Sequence, residues 1–295
     1  MGSTRQFLAI DWGTTNRRIF TIGADGEIGE RIADDRGITA FRQGDFDREI
    51  RALRQQYPVG PIVLAGMIGS NRGWVEAAYV PCPVRFTDIA NALVRPADDV
   101  MIIPGVSMIG DGRYDVMRGE EIQILGAACT GMIRPNTLVC HPGTHAKWAH
   151  VRERAILSFR TVMTGEMFAL LRKHSILSDL LKAKVLVGGI FTAGVRHAID
   201  HDDLLAALFS VRAKALLGNL AREDAASFIS GLLIGSDVKI GLEGSDPLLS
   251  VALIGDPQLT SLYAAALAVA GRPSEQIDGE QAFLAGVKLI LRELA

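Results

Sequence analysis

The sequence predicts an α/β protein built from two similar halves. Near the amino terminus, a short apolar strand leads into a polar turn that contains Gly13-Thr14. The same order of features returns around Gly143-Thr144, 130 residues later, and a helical stretch follows each copy. Repetition of a whole unit at a fixed offset indicates a duplicated fold rather than two unrelated hairpins.

In the first copy, the apolar run Phe7–Ile10 enters the turn Asp11-Trp12-Gly13-Thr14-Thr15-Asn16. Runs of apolar and β-branched residues beyond this turn predict strands, and a periodic stretch predicts a helix. The expected elements are strands at Arg17–Ile22, from Ile28 and at Pro61–Ala65, with a helix over Asp45–Gln56.

In the second copy, the β-branched run Thr137–Cys140 enters the turn His141-Pro142-Gly143-Thr144-His145-Ala146. His141 stands at the position that Asp11 holds in the first copy. The expected elements are strands at Lys147–Val151, Ala155–Val162 and Leu249–Ile254, with a helix over Gly165–Lys173.

Both turns have the chemistry of a phosphate site. Glycine lets the backbone approach a ligand closely, and successive N–H groups in a turn form an anion-binding concavity. Asp11, at the end of a buried strand, can hold Mg²⁺ through its waters. The predicted phosphate-binding residues are Gly13, Thr14, Thr15 and Asn16 in the first turn, and Gly143, Thr144, His145 and Lys147 in the second. Neither the P-loop pattern nor the dinucleotide-binding glycine pattern is present.

Composition narrows the class of protein. The 295 residues are 48 % apolar and 22 % charged, as in soluble globular proteins, and the net charge of −2 gives no basic surplus for nucleic acid. Three cysteines without a CxxC pair favour a reducing compartment. Uncharged stretches such as Ala225–Ser236 and Leu259–Gly271 are shorter than a membrane span requires. We expect a cytoplasmic protein whose partners are small molecules, with no nucleic acid and no membrane.

The two turns, with three further segments in order, resemble the actin/heat-shock ATPase/sugar-kinase superfamily. Val116–Gly131 looks like its first connecting helix, and Gly279–Leu294 looks like its second. Val251–Gly271 looks like its adenosine segment, which makes Gly255 and Asp256 the expected adenosine contacts.

This resemblance implies two duplicated ribonuclease-H-like domains of the actin/hexokinase type, each with a five-stranded mixed sheet, around a nucleotide cleft. The first domain is expected to comprise residues 1–116 and the C-terminal helix 280–295. The second is expected to comprise residues 117–279. ATP and Mg²⁺ are the implied cofactors, with Asp11 on the metal side.

Within that superfamily, the chain resembles the 2-dehydro-3-deoxygalactonokinase family. The resemblance implies ATP-dependent phosphorylation of the C6 hydroxyl of 2-dehydro-3-deoxy-D-galactonate in galactonate catabolism. Ala146 stands where the family pattern has serine. Besides the first turn, the segments that carry the resemblance are Gly66–Ser70, Gly73–Glu76, Tyr79–Pro83, Met117–Glu121, Pro142–Trp148 and Met163–Glu166.

Phosphoryl transfer requires a group that orients or deprotonates the attacking hydroxyl. Glu120 and Glu121 are the candidate bases, although acids in the first turn of a helix also stabilise its dipole. Asp111 and Asp115 are the alternatives. With Asp11, the two glutamates form the predicted catalytic set.

A substrate carboxylate calls for arginine, whose planar fork binds it through two hydrogen bonds. Arg72 and Arg118 are the candidates, and any single arginine is more often a solvated surface residue. The further options are Arg17, Arg18, Lys147 and Arg160. Ser70, Asn71, Trp74 and Glu76 are predicted to contact the rest of the sugar acid, the alternative being a plain loop with a core tryptophan.

The middle of the chain, residues 167–242, is predicted to be mostly helical. Six residues at near-helical spacing favour core packing: Leu204, Leu205, Leu208, Phe209, Leu216 and Leu217. The remaining alternatives are another sugar-acid kinase, a phosphohydrolase on the same fold, or a non-enzymatic sugar-responsive repressor. The sequence leaves open the gluco or galacto stereochemistry and a homodimeric state.

Overall fold

A computed structural model describes residues 6–23, 25–57, 60–110 and 112–293. The chain divides into two compact units. Unit 1 comprises Met1–Pro135, Arg152–Ser158 and Glu280–Ala295, and unit 2 comprises Asn136–Val151 and Phe159–Gly279. This division differs from the expected boundary at 116/117, because the first connecting helix belongs to unit 1.

The first half of the chain alternates strands with short helices. Its elements are β1 (Phe7–Trp12), β2 (Arg17–Ile22), β3 (Ile28–Asp34), α1 (Phe46–Gln56), β4 (Ile62–Gly66), β5 (Val80–Pro81), β6 (Val84–Arg85), α2 (Phe86–Asn91), β7 (Val94–Ala97), β8 (Val100–Ile102), β9 (Val106–Gly110), β10 (Arg113–Met117) and α3 (Glu120–Thr130).

The main sheet of unit 1 has the order β3-β2-β1-β4-β8-β7. β1 runs antiparallel to β2 and parallel to β4, with Asp11 opposite Ala65 and Trp12 opposite Gly66. The sheet has six strands where five were expected, because the short β7 pairs antiparallel with β8 at its edge. A smaller sheet has the order β10-β9-β5.

α1 shows why this sheet folds as it does. Phe46, Ile50 and Leu53 recur at helical spacing and are buried against β1 residues such as Leu8 and Trp12. Such a stripe drives an amphipathic helix onto an apolar sheet face, where burying each large side chain contributes about 1.5–3 kcal/mol.

The second half begins with strands and then becomes helical, as the sequence predicted. Its elements are β11 (Asn136–His141), β12 (Ala146–Arg152), β13 (Ala155–Val162), α4 (Thr164–His174), α5 (Gly189–Asp200), α6 (Leu204–Leu216), α7 (Ala225–Leu242), β14 (Val251–Gly255), α8 (Pro257–Val269), β15 (Ser274–Asp278) and α9 (Gly279–Glu293).

The sheet of unit 2 repeats the central pairing of unit 1. Its strands lie in the order β15-β14-β11-β12-β13, and β11 runs parallel to β14 with Leu138 opposite Val251. β11 thus corresponds to β1 and β14 to β4. The mixed α/β architecture with a duplicated order of elements confirms the predicted fold class.

α7 is the most apolar helix of unit 2. Within the described residues, one helical segment, Arg222–Leu242, which includes α7, is long and apolar enough to cross a membrane. The fold buries 72 % of its most apolar stretch, as expected for a core helix. Its burial comes from close contact with α5, where a Cβ on Gly231 would lie 2.2 Å from the Phe191 carbonyl oxygen.

α6 departs from the sequence prediction. Leu208 is buried, but Leu205, Phe209, Leu216 and Leu217 are 84, 63, 66 and 76 % exposed. Core packing was therefore the wrong expectation for these four residues. Apolar periodicity identifies a helix face, but it does not reveal what covers that face.

The glycine contact between α5 and α7 predicts a specific loss of stability. Gly231→Ala would force the two helix backbones apart, at about 1–3 kcal/mol. We expect a melting temperature several degrees lower in differential scanning calorimetry. Gly44→Ala is the control, because nothing lies within 4 Å of its Cβ position. Equal melting temperatures for the two variants would refute this packing argument.

Candidate functional site

The first turn is held by a segment that we call the 37–39 strap (Gly37, Ile38 and Thr39). The turn closes on itself with a 2.9 Å hydrogen bond from Gly13 N–H to the Asn16 carbonyl. The strap N–H groups then donate, in order, to the carbonyls of Thr15, Gly13 and Thr14 at 3.0–3.1 Å, and Thr39 Oγ1 donates to the Thr14 carbonyl at 2.9 Å.

These bonds fix the polarity of the turn. The strap engages the carbonyl oxygens, whereas the N–H groups of Thr14 and Thr15 have no partner among the described residues. Both residues are exposed. A turn with engaged carbonyls and open N–H groups suits an anion.

Gly37 makes this contact possible. A Cβ at this position would lie 2.3 Å from the Thr14 carbonyl oxygen, a distance that only a shift of backbone could relieve. Sequence reasoning missed the strap, because a lone glycine in a loop does not indicate which distant turn it touches. Ile38 and Thr39 do not form a recognisable pattern either.

Asp11 lies beside the turn, next to a second glycine. Its Oδ1 atom is 3.3 Å from the position that a Cβ on Gly66 would take, and Gly66 adopts a φ of 90°. A Cβ on Gly119 would lie 3.3 Å from Gly66 Cα. The structure therefore brings both Asp11 and the start of α3 close to Gly66.

Asp11 has a positively charged partner. Its carboxylate pairs with Arg18 and is 15 % exposed. No group of three or more His, Cys, Asp and Glu residues that could hold a metal occurs in the described ranges. One carboxylate with one oxygen engaged matches Mg²⁺, which keeps most of its waters in proteins.

The two glutamates at the start of α3 have different environments. Glu121 is fully buried, and its Oε2 accepts a 2.7 Å bond from Gly119 N–H while Oε1 has no partner among the described residues. Burial, and secondarily the neighbouring Glu120 charge, raise the pKa of Glu121 to about 8. Glu120 is partly exposed, and its Oε2 accepts a bond from Arg118 N–H at 3.1 Å.

Of the alternative acids, Asp115 accepts a bond from the adjacent Val116 N–H at 2.8 Å. Asp111 lies outside the described residues. The structure therefore gives no argument for moving the base from α3 to the β9–β10 hairpin.

Arg118 supports the loop that follows β4. Its guanidinium donates to the Ala77 carbonyl at 2.6 Å, lies 4.4 Å from the Tyr79 ring centroid and packs beside Gly69. Only 9 % of the residue is exposed, and no partner of its Nε and Nη1 atoms lies in the described ranges. A buried cation with open N–H groups carries a desolvation penalty.

The predicted substrate residues occupy this loop in different ways. Asn71, Arg72 and Glu76 are exposed, whereas Ser70 is buried and donates to the Met67 carbonyl at 2.7 Å. Trp74 packs against the sheet core, and its indole N–H donates to Asp47 at 3.1 Å. The loop thus presents three polar side chains and uses the other two residues to hold its shape.

In unit 2, the second turn contacts the start of α4. A Cβ on Gly165 would lie 2.4 Å from the Gly143 carbonyl oxygen, and Glu166 N–H donates to the Thr144 carbonyl at 2.9 Å. His145 Nε2 lies 2.5 Å from Glu166 Oε2. Lys147 differs from the other predicted phosphate residues, because it is only 4 % exposed.

A cavity of about 550 Å³ opens next to this turn. That volume is within the range of small-molecule sites. Its lining includes Gly143, Thr144, Thr164, Gly165, Arg172, Lys182, Lys184, Ser230, Gln258, Leu259 and Tyr263. Gly255 has a φ of 155° and lies beside the turn. A Cβ on Gly255 would lie 3.6 Å from the Pro142 carbonyl oxygen. Asp256 caps α8, accepting bonds from the Gln258 and Leu259 N–H groups.

Asp237 connects side chains that line this cavity. The carboxylate is fully buried and accepts bonds from Trp148 Nε1 at 2.7 Å, from Thr164 Oγ1 at 2.5 Å, and from the Tyr263 hydroxyl. Burial raises the pKa of Asp237, although the three donors oppose the shift. The network ties β12, α4 and α8 together around the second turn. Sequence reasoning missed it because Asp237 stands alone in an apolar helix.

Glu121 should impose a pH dependence on stability. Its pKa rises from 4.5 to about 8 on folding, so the native state holds an extra proton between these values. The associated stabilisation, on the order of a few kcal/mol, is complete below about pH 4.5 and is lost as the pH rises to about 8.

We expect Glu121→Gln to flatten this pH dependence, measured by urea unfolding at pH 5, 6.5 and 8. Glu27→Gln, which alters an exposed carboxylate of the same unit, should retain the wild-type slope. Parallel curves for wild type and Glu121→Gln would show that Glu121 is ionised when buried.

Comparison with known proteins identifies the family of this chain. The 2-keto-3-deoxy-galactonokinase family profile matches residues 11–290. A 2-dehydro-3-deoxygalactonokinase of Escherichia coli K12 is 35 % identical over 294 residues, which is 99 % of each chain. A crystal structure from Sinorhizobium meliloti, provisionally named 2-dehydro-3-deoxygalactonokinase, superposes with a TM-score of 0.88 at 34 % identity, covering 98 % of this chain and 99 % of that one.

A more distant structure shares the fold alone. Component A of the Acidaminococcus fermentans (R)-2-hydroxyglutaryl-CoA dehydratase superposes with a TM-score of 0.53 at 13 % identity, covering 98 % of this chain and 99 % of that one. The full-length family match and the close relatives are decisive: the chain belongs to the 2-keto-3-deoxy-galactonokinase family.

Proposed function

We propose that this protein transfers the γ-phosphoryl group of ATP to the C6 hydroxyl of 2-dehydro-3-deoxy-D-galactonate, in galactonate catabolism. The observation that carries the proposal is the strapped first turn beside Asp11 and α3, in a chain that belongs to this family. Its unpaired cysteines, Cys82, Cys129 and Cys140, suit a reducing cytoplasm.

ATP is the proposed phosphoryl donor. In unit 1, Thr14 and Thr15 offer open N–H groups and hydroxyls to phosphate oxygens, Asn16 offers its side-chain amide, and Gly13 closes the turn that holds them. In unit 2, Gly143, Thr144 and His145 do so next to the cavity, which we assign to adenosine. Gly255 lies beside the second turn, and Gln258 and Leu259 line the cavity, so we assign the nucleoside contacts to this segment. Asp256 acts through the cap that fixes α8. Lys147 is buried, so we assign it a structural role next to the turn and not a direct contact with phosphate.

Mg²⁺ is the proposed metal, held through water by Asp11. When bound, it neutralises charge on the transferring phosphate. Arg18 pairs with the Asp11 carboxylate here and places a positive charge next to the proposed metal position. The role of Asp11 is to position the metal, not to move a proton.

Glu120 is the proposed base, and Glu121 supports it. A carboxyl group with a pKa of about 8 is protonated at neutral pH and cannot accept a proton efficiently. Glu120 is partly exposed and can meet a substrate hydroxyl. The hydroxyl proton passes to Glu120, the C6 oxygen forms a bond to the γ-phosphorus, and ADP leaves.

Arg72 is the proposed partner of the substrate carboxylate. It is exposed on the loop after β4, with Asn71 and Glu76 available for the sugar hydroxyls. Arg118 is enclosed between Gly69, Ala77 and Tyr79, so it acts by holding the loop in place. Ser70 and Trp74 have the same supporting role.

The test is ADP formation with Mg·ATP and a panel of sugar acids. The panel contains 2-dehydro-3-deoxy-galactonate, its gluconate epimer and a blank without sugar. We expect turnover with the galacto acid and much less with the epimer, because one misplaced hydroxyl loses its hydrogen-bond partner in the site. Nucleotide loss in the blank alone would overturn the kinase assignment and favour a phosphohydrolase.

Exchange of the proposed base should distinguish Glu120 from the alternative acid Asp115. Glu120→Gln is expected to lower kcat about 10²- to 10⁴-fold with little change in the KM for ATP. Asp115→Asn is the matched control, and its kcat should stay within a few-fold of the wild type. A large loss in Asp115→Asn with an active Glu120→Gln would move the base to the β9–β10 hairpin.

The strap should control nucleotide binding. Gly37→Ala displaces the first turn and is expected to raise the KM for ATP about tenfold or more, because 1.4 kcal/mol of lost binding suffices for that factor. Thr39→Val, which removes only the hydroxyl bond to Thr14, should give a smaller increase. An unchanged KM in Gly37→Ala would mean that the turn does not bind phosphate.

A further inference from the structure

α6 exposes an apolar face that no part of the described chain covers. Leu205, Phe209 and Leu216 lie at positions i, i+4 and i+11 of the helix, so they share one side of it. They are 84, 63 and 66 % exposed, and Leu217 continues the face at 76 %. The small residues Ala206 and Ala213 lie between them and permit a close approach of another helix.

The helix itself is firmly anchored. Its opposite side buries Ala207, Leu208 and Val211 in a cluster that includes Leu180 and Ile229. The exposed face is therefore a surface of the folded unit, and not the result of a frayed helix. Clustered large apolar side chains on a soluble surface mark an interaction site.

The charges along α6 indicate what occupies this face. Asp202 and Asp203 stand at its N-terminal end; they pair with Lys239 and His197 of the same chain, but their side chains remain 90 and 46 % exposed. Arg212 and Lys214 stand in its C-terminal half, where Arg212 bonds the Ile176 carbonyl and Lys214 lies over the Phe228 ring. A second α6 placed antiparallel brings the acidic end of each helix toward the basic half of the other. A parallel placement would bring like charges and like helix dipoles together.

We propose that α6 forms the two-fold interface of a homodimer, packed antiparallel against α6 of a second copy of this chain. Such an interface uses the same patch twice and closes at two subunits. In the proposed register, Leu205 contacts the partner subunit's Leu216, and Phe209 contacts the partner subunit's Arg212. Ile176, 60 % exposed and bonded through its carbonyl to Arg212, extends the patch.

The first test is the mass of the wild-type protein by sedimentation velocity at about 1–50 μM. We expect a dimer that dissociates on dilution, and a monomer for the double variant Leu205→Glu, Phe209→Glu. Leu248→Glu is the control, because Leu248 is 88 % exposed in the same unit but lies outside α6. It should remain dimeric.

Melting temperature and kinase turnover of the α6 variant establish that it is folded. The test of the dimer is therefore independent of the test of the proposed reaction. A wild-type protein that stays monomeric over the whole concentration range would overturn the dimer proposal. Binding of this monomer to anionic lipid vesicles through Phe209 would also overturn it, because a membrane would then occupy the α6 face. Dissociation of the Leu248→Glu control would also overturn it.

A second test measures orientation by oxidative cross-linking. In an antiparallel pair, the two copies of Leu205 are about 16 Å apart, too far for a disulfide. The double variant Leu205→Cys, Leu216→Cys should form a covalent dimer, and neither single variant should exceed the wild-type background from its native cysteines. Cross-linking by Leu205→Cys alone would overturn the antiparallel arrangement.

Discussion

Parallel pairing of two central strands is the constraint on which each unit depends. β1 runs parallel to β4, and β11 runs parallel to β14, so the turn after one strand meets the segment after the other. In unit 1 this places Asp11 beside Gly66. In unit 2 it places Pro142 beside Gly255. Both positions need glycine: a Cβ on Gly66 would lie 2.8 Å from the Trp12 carbonyl oxygen, and Gly255 adopts a φ of 155° that favours glycine.

Buried ionisable groups lie close to both turns. Glu121 is enclosed beside the start of α3, and Asp237 is enclosed by Trp148, Thr164 and Tyr263. Desolvation makes a buried carboxylate expensive unless it is protonated or well bonded, and these two adopt the two different solutions. Glu121 gains a proton near neutral pH, whereas Asp237 gathers three donors. The second solution also fixes the helix that lies along the cavity.

Much of the fold and part of the site were predictable from sequence. The duplicated Gly-Thr turns and apolar strands are local patterns, so β1, β2 and β11 lie where the residues indicated. The first connecting helix begins at Glu120 and not at Val116 as expected, because Val116 and Met117 belong to β10. The exposed α6 leucines, the strap and Asp237 were not predictable, because each depends on contacts between residues far apart in the chain. Glu120 and Glu121 are adjacent in sequence, and only their burial distinguishes them. The proposed roles of the site residues remain predictions.

The strap has a consequence for how the phosphate turn can be transferred. Asp11–Asn16 carries the recognisable letters, but its shape is completed by three residues that follow a separate strand, β3. If the six residues Asp11–Asn16 were grafted onto a new scaffold, they would lack the strap and would not adopt the conformation of this turn. The smallest portable piece runs from β1 through Thr39, and designers who borrow this turn need to take that whole segment.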